Sequence, residues 1–218
     1  MTEIEYVCSL GVCCHTAEII KRYGYKLESY PFDWLVSAPK IIGHCIEDDF
    51  NKLLDRNEYL PVRGQEQGKQ CGHSFYSPRN MFNHINPLVF QDDYEYLLRC
   101  VDRFRELLRR TNNKLFIILS PNHTDPKDVK LFVDQVNNLD AILKKHSINF
   151  SILAVIHYVS DLVKHTITKV DNVIICELYN KSKSNGRKFL SGEDNNYLDK
   201  IVNEYYNFKV KSLNGDIK

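Results

Sequence analysis

Two adjacent thiols, Cys13 and Cys14, follow Ser9-Leu10-Gly11-Val12 and open a run, residues 15–24, with the apolar spacing of an amphipathic helix. Thiol chemistry needs the thiolate, and the backbone N–H groups and dipole of a helix N-terminus favour that charged form. Cys14 stands nearer the first helical turn and is the preferred nucleophile, with Cys13 as the alternative. Residues 4–10 read as a short buried strand, so the thiols sit where a strand hands the chain to a helix. Proteins of the α/β class carry reactive groups at that point. For any single cysteine the bland reading is an inert buried side chain. The strand, glycine and helix around this pair are what set it apart.

A thiol nucleophile needs a base, most often a histidine held by an aspartate or asparagine. His84, in Asn83-His84-Ile85-Asn86, and His73, in Cys71-Gly72-His73, fall in a middle segment without regular periodicity and are the candidates. His157 closes a strand and His123 follows one, which keeps both open. His15 adjoins the thiols but points away along its helix, while His44, His146 and His165 fit helix faces or the surface. Asp33 is the natural third member, because a carboxylate between Phe32 and Trp34 is expected to be partly buried, and a buried carboxylate needs a partner. The competing reading makes Asp33 the cap of a helix entered at Trp34. Ser9 and Gly11 beside the thiols, with Trp34 and Asn86 from the loops, are candidate substrate contacts.

No Cys-x-x-Cys pair and no glycine-rich phosphate loop occurs, so neither a metal nor a cofactor is expected. With 218 residues the chain suits a single domain, 1–218, and 43% hydrophobic residues can fill its core without disulfides. A formal net charge of +1 gives no reason to expect nucleic acid or an anionic membrane as partner. Seven cysteines, an odd number in irregular spacing, and a start without a basic and apolar leader point to a reducing, cytoplasmic setting. No apolar run approaches the roughly 20 residues of a membrane span. The arginines at 99, 103, 105, 109 and 110 read as a solvated helix face, with Glu95, Asp102 and Glu106 at pairing distance.

Several elements must position these groups. Gly24 ends the first helix, and a second runs from Ser37-Ala38-Pro39 through Phe50 and Leu53. Residues 57–87 lose periodicity among Pro61, Gly64, Gly68, Gly72 and Pro78; so long a connection in a compact domain is usually functional or irregular. Residues 91–110 recover a helix. Residues 114–119, 150–156 and 173–178 are short apolar runs that read as buried strands, with a helix opening at Asp125-Pro126 after the first of them. Residues 160–165 suit a short helix, and 197–206 a final one. Strands apolar on both faces and alternating with helices imply an α/β fold, a mostly parallel sheet covered on two sides in three layers.

The Ser9-Leu10-Gly11-x-x-Cys14 block, the helix to Gly24, and Ser29-Tyr30-Pro31-Phe32-Asp33-Trp34-Leu35 together resemble the family described as putative papain-like cysteine peptidases, found in bacteria and large DNA viruses. The resemblance extends to Phe82-Asn83-His84 and the helix and strand that follow, covering about the first 120 residues well and the remainder loosely. It implies Cys14 as nucleophile with His84 and Asp33 in support, and a papain-like α+β fold as the alternative to the parallel sheet. Cys13 stands where the family pattern usually has a small or polar residue, which leaves the choice of thiol open. The expected function is a cysteine-nucleophile hydrolase or acyltransferase acting on an amide, ester or thioester, peptide or glycan-linked. The alternative is a non-catalytic module that binds a glycan or sugar nucleotide through the Pro31 to Trp34 corner and the 57–87 segment.

Overall fold

A computed structural model describes residues 3–64, 68–124 and 126–208. Strands β1 (Glu3–Ile4) and β2 (Tyr6–Ser9) lead into helix α1 (His15–Arg22). Helices α2 (Pro39–Glu47) and α3 (Asn51–Leu54) precede strands β3 (Tyr59–Pro61), β4 (Cys71–His73) and β5 (Ser77–Phe82). Then come α4 (Gln91–Arg109), β6 (Lys114–His123), α5 (Pro126–His146), β7 (Phe150–Val159), β8 (Lys164–Val170), β9 (Val173–Asn180), α6 (Gly192–Tyr205) and β10 (Asn207–Phe208).

The main sheet runs β2-β6-β7-β9-β8, parallel through its first four strands and antiparallel only at β8. Alternate residues of β6 explain why its sequence is apolar throughout. Leu115, Ile117 and Leu119 pack toward Ile19 and Ile20 of α1 and Leu198, Ile201 and Val202 of α6. Phe116 and Ile118 pack the other way, against Ile42 of α2, Phe104 of α4 and Leu139 of α5. A strand buried on both faces has no polar side to show. The fold is therefore the three-layer α/β arrangement, not the α+β alternative. Among the described residues no helix is long and apolar enough to cross a membrane.

Three local expectations change. Residues 160–165 do not form a helix: the chain turns there into β8, an edge strand whose mostly exposed residues and terminal lysine suit a sheet margin. The aperiodic 57–87 segment holds a second, three-stranded antiparallel sheet, β3-β4-β5. Two of its strands, β3 and β4, have three residues each, too few for a period-two pattern to emerge. The second helix stops at Glu47 because Asp49 and Phe50 adopt left-handed φ of 46° and 62°, and α3 resumes as a separate turn. Asp125, read as part of a helix start, lies outside the described residues. The arginine face is solvated as expected, Arg105 pairing with Asp49 and Asp102 and Arg110 with Glu106.

Candidate active site

The corner that carries the thiols is held by hydrogen bonds on every side. Strand pairing continues past β2 through Leu10 N–H to Ile117 O at 2.8 Å, after which Gly11 and Val12 both take left-handed φ, 72° and 68°. At Gly11 a Cβ would sit 2.6 Å from Ser37 Oγ and 2.9 Å from the Phe32 carbonyl, so glycine is required there twice over, by φ and by space. Val12 is β-branched, and its conformation is strained. A reciprocal clip holds it: Val12 N–H donates to Ser37 Oγ at 3.3 Å, and Ser37 N–H donates to the Val12 carbonyl at 3.3 Å. Thr16 Oγ1 donates to Gly11 O at 3.2 Å. Cys14 is thereby fixed immediately before the first residue of α1 and is 6% exposed.

The clip also brings in the histidine. Two residues before Ser37, Leu35 forms a β-bridge to Phe82, and Val36 N–H donates to Met81 O at 2.9 Å, tying this segment to the end of β5. His84 follows two residues later, exposed, with Nε2 3.3 Å from Cys14 Sγ across 70 residues of chain. Trp34 meets the imidazole edge to face, ring centres 5.9 Å apart, and Lys26 Nζ lies 5.3 Å from the Trp34 ring centre.

Burial pushes the Cys14 thiol up to about 11, with the neighbouring Cys13 adding to the rise; the Arg187 guanidinium works in the opposite direction. Loss of water thus opposes the thiolate that the helix terminus was expected to favour. With the thiol this high, Cys14 keeps its proton at neutral pH, and His84 Nε2 lies within hydrogen-bond reach of it. Cys13 is half-buried with its thiol also raised by burial, and among the described residues it has no imidazole partner.

The other candidates fall elsewhere. Asp33 is buried at 2% exposure, and its carboxylate accepts from Tyr30 N–H at 2.9 Å and pairs with Lys26. Among the described residues it makes no hydrogen bond to His84; Lys26 and Trp34 stand between its carboxylate and the imidazole. His73, the last residue of β4, is fully buried, with Nε2 on Lys52 O at 3.0 Å and Nδ1 accepting from Tyr76 N–H at 3.4 Å. Both ring nitrogens are spent on backbone, so it is not the base. Ser9 is buried and accepts from Gly11 N–H at 3.1 Å, and Gly11 is enclosed by Ser37 and Phe32; both shape the corner and neither faces the cleft. Asn86 is buried as well, donating to Gly68 O at 2.8 Å and receiving Val89 N–H at 3.3 Å, which organises the loop ahead of α4. Trp34 alone of the four substrate-contact candidates lines the cleft.

That cleft, about 360 Å³, is lined by Trp34, His84, Ile85 and Tyr96 together with Glu18, Lys21 and Arg187. The sequence reading missed Ser37, Lys26 and the Glu18–Arg187 pair. Helical spacing from Cys14 through Glu18 to Lys21 was a usable signal for one wall. Arg187 left none, since only the folded chain returns residue 187 to α1. His157, kept open as a base, is buried and contacts Asn180 Oδ1 at 2.6 Å; His15, expected to point away, is buried and contacts Ser184 Oγ at 2.9 Å. His123 contacts Ser120 Oγ at 2.7 Å.

A family model described as "Putative papain-like cysteine peptidase" matches residues 5–160. The matched span includes Cys14, Trp34 and His84 and ends before Arg187. No curated protein and no solved structure matches the chain.

Proposed function

The chain belongs to the family described as putative papain-like cysteine peptidases, and from that premise we propose that it is a thiol hydrolase or acyltransferase with Cys14 as nucleophile and His84 as base. The observation that carries the proposal is the 3.3 Å contact between Cys14 Sγ and His84 Nε2, whose imidazole lines the cleft. His84 Nε2 takes the thiol proton as sulfur attacks the carbonyl carbon of an amide, ester or thioester. The carbonyl oxygen becomes an oxyanion, for which N–H groups of the first turn of α1 are the candidate donors. His84 then returns the proton to the departing amine, alcohol or thiol, leaving an acyl-thioester on Cys14. Water, or another acceptor in a transferase, loses a proton to His84 as it attacks that thioester, and the thiol is restored.

A glycan-binding or sugar-nucleotide-binding module would use the same cleft but would have no need of a thiol against an imidazole. The two readings separate on turnover of an activated ester such as p-nitrophenyl acetate, measured beside the iodoacetamide labelling of Cys14. Turnover that disappears in both Cys14→Ala and His84→Ala, with folding retained, is the expected result. Turnover that survives Cys14→Ala overturns the assignment.

A further inference from the structure

On α1, residues 14, 18, 21 and 22 share one face, so a ligand leaving Cys14 along the helix passes Glu18 and then Lys21 and Arg22. Beyond the His84 cleft lies a second depression of about 520 Å³, lined by Glu18, Lys21, Arg22, Asn185, Arg187 and Lys188. Glu18, Lys21 and Arg187 line both, so the two depressions adjoin and together make a trough along α1.

The trough is locally basic. Four cations line its outer part, and the one lining anion, Glu18, is engaged by Arg187 at 2.6 Å. Arg22 is paired with Asp199, outside the lining. Lys21 and Lys188 are exposed and have no ion-pair partner among the described residues. Since the whole chain carries only +1, this excess is a property of the trough and not of the protein at large. Arg187 is also close enough to Cys14 to favour negative charge on sulfur.

We propose that the trough binds a substrate bearing a carboxylate or phosphate about three residues from the bond attacked, received by Lys21 and Lys188 with Arg187 between them and the thiol. The distance follows from geometry: seven residues of helix rise about 10 Å, which an extended peptide covers in roughly three residues. The proposal names the substrate of the Cys14 and His84 site and rests on that reading.

The test measures binding in Cys14→Ala protein, so that it does not depend on turnover. Peptides with a neutral coumarin label carry Asp, Asn, phosphoserine or serine three positions to either side of a central glycine, and fluorescence anisotropy gives their affinities. The charged members are expected to bind three- to tenfold more tightly than their neutral partners on one side of the glycine. The preference fades in 0.5 M salt, as screened surface charge requires, and is lost in Lys21→Gln/Lys188→Gln. Phosphoserine ahead of Asp identifies phosphate as the source of charge, and Asp equal or ahead identifies carboxylate. Equal binding of charged and neutral peptides, binding by none of them, or a preference that survives the double substitution overturns the proposal. A charge preference in a protein whose Cys14 proves unreactive in wild type would keep the trough and remove the nucleophile.

Discussion

In His84→Gln protein, Cys14 keeps its burial and loses its proton acceptor, and the consequence can be worked from the thiol itself. With the Cys14 thiol at about 11, roughly 1 in 10⁴ molecules carries thiolate at pH 7, against about 1 in 100 for an ordinary thiol at 9. The more basic sulfur is the better nucleophile, which offsets about tenfold of that hundredfold deficit. Without His84, Cys14 should therefore react with iodoacetamide about tenfold more slowly than a free reference thiol at pH 7. Its rate should climb tenfold per pH unit from pH 7 to 10. With His84 in place, proton removal in the transition state typically contributes a further 10²–10⁴-fold, on the order of 3–5 kcal/mol. Wild type should then exceed the variant by at least about 100-fold at pH 7 and show a shallower pH profile. The assay is alkylation across pH 6–10, read by fragmentation mass spectrometry that resolves Cys13 from Cys14. A His84→Gln protein with the wild-type rate and profile refutes the idea that this imidazole takes the proton.

Asp33→Asn separates a positioning carboxylate from a triad member. Leaving Lys26 without its buried partner should cost about 3 kcal/mol of stability by urea denaturation, while Cys14 alkylation stays within a few-fold of wild type; a collapse of alkylation in a stably folded variant would restore Asp33 to the chemistry. Gly11→Ala forces a Cβ against Ser37 Oγ at 2.6 Å in a left-handed backbone and should lower stability by about 1–3 kcal/mol, with loss of the Cys14 reactivity advantage; an unperturbed melting temperature would show that the corner yields freely. His15→Leu tests acid sensitivity. Burial lowers the His15 imidazole to about 3 from 6.5, so below pH 6.5 the unfolded chain binds a proton that the folded chain refuses. The stability is fully present above that pH and is lost as pH falls toward 3, by about 2 kcal/mol at pH 5. Urea midpoints at pH 7.5 and 5.0 should therefore differ less in His15→Leu than in wild type, and an equal difference would place the acid sensitivity elsewhere.

The parallel sheet was legible because burial on both faces writes itself into the sequence: residues 114–119, 150–156 and 173–178 have no polar side, and β6, β7 and β9 contain them. β8 was hidden because an edge strand makes no such demand; Thr166 and Lys169 are tolerated where one face and one margin meet water. The small sheet was hidden for a different reason. Strands of three residues such as β3 and β4 carry too few positions for any period to be read, and the pairing that defines them is made by backbone.

At the site, the residue types of Cys14 and His84 were readable, and their meeting was not. That meeting depends on Ser37 clipping Val12 and on Leu35 bridging Phe82, contacts made by a common polar side chain and by main chain. Neither leaves a mark that pattern reading detects. Asp33 shows the opposite failure: its burial was correctly anticipated, and a buried carboxylate does need a partner, but Lys26 supplies it from seven residues away. The thiol itself gives the most general lesson. A helix N-terminus favours thiolate by an interaction of about 1 kcal/mol or less near water, whereas burial, with Cys13 beside it, pushes the Cys14 thiol from 9.0 up to about 11, on the order of 3 kcal/mol against the anion. Burial therefore decides the resting state, and sulfur keeps its proton. Reactivity at neutral pH must then come from a proton acceptor in contact with sulfur, and the 3.3 Å approach of His84 supplies one that the helix dipole cannot replace.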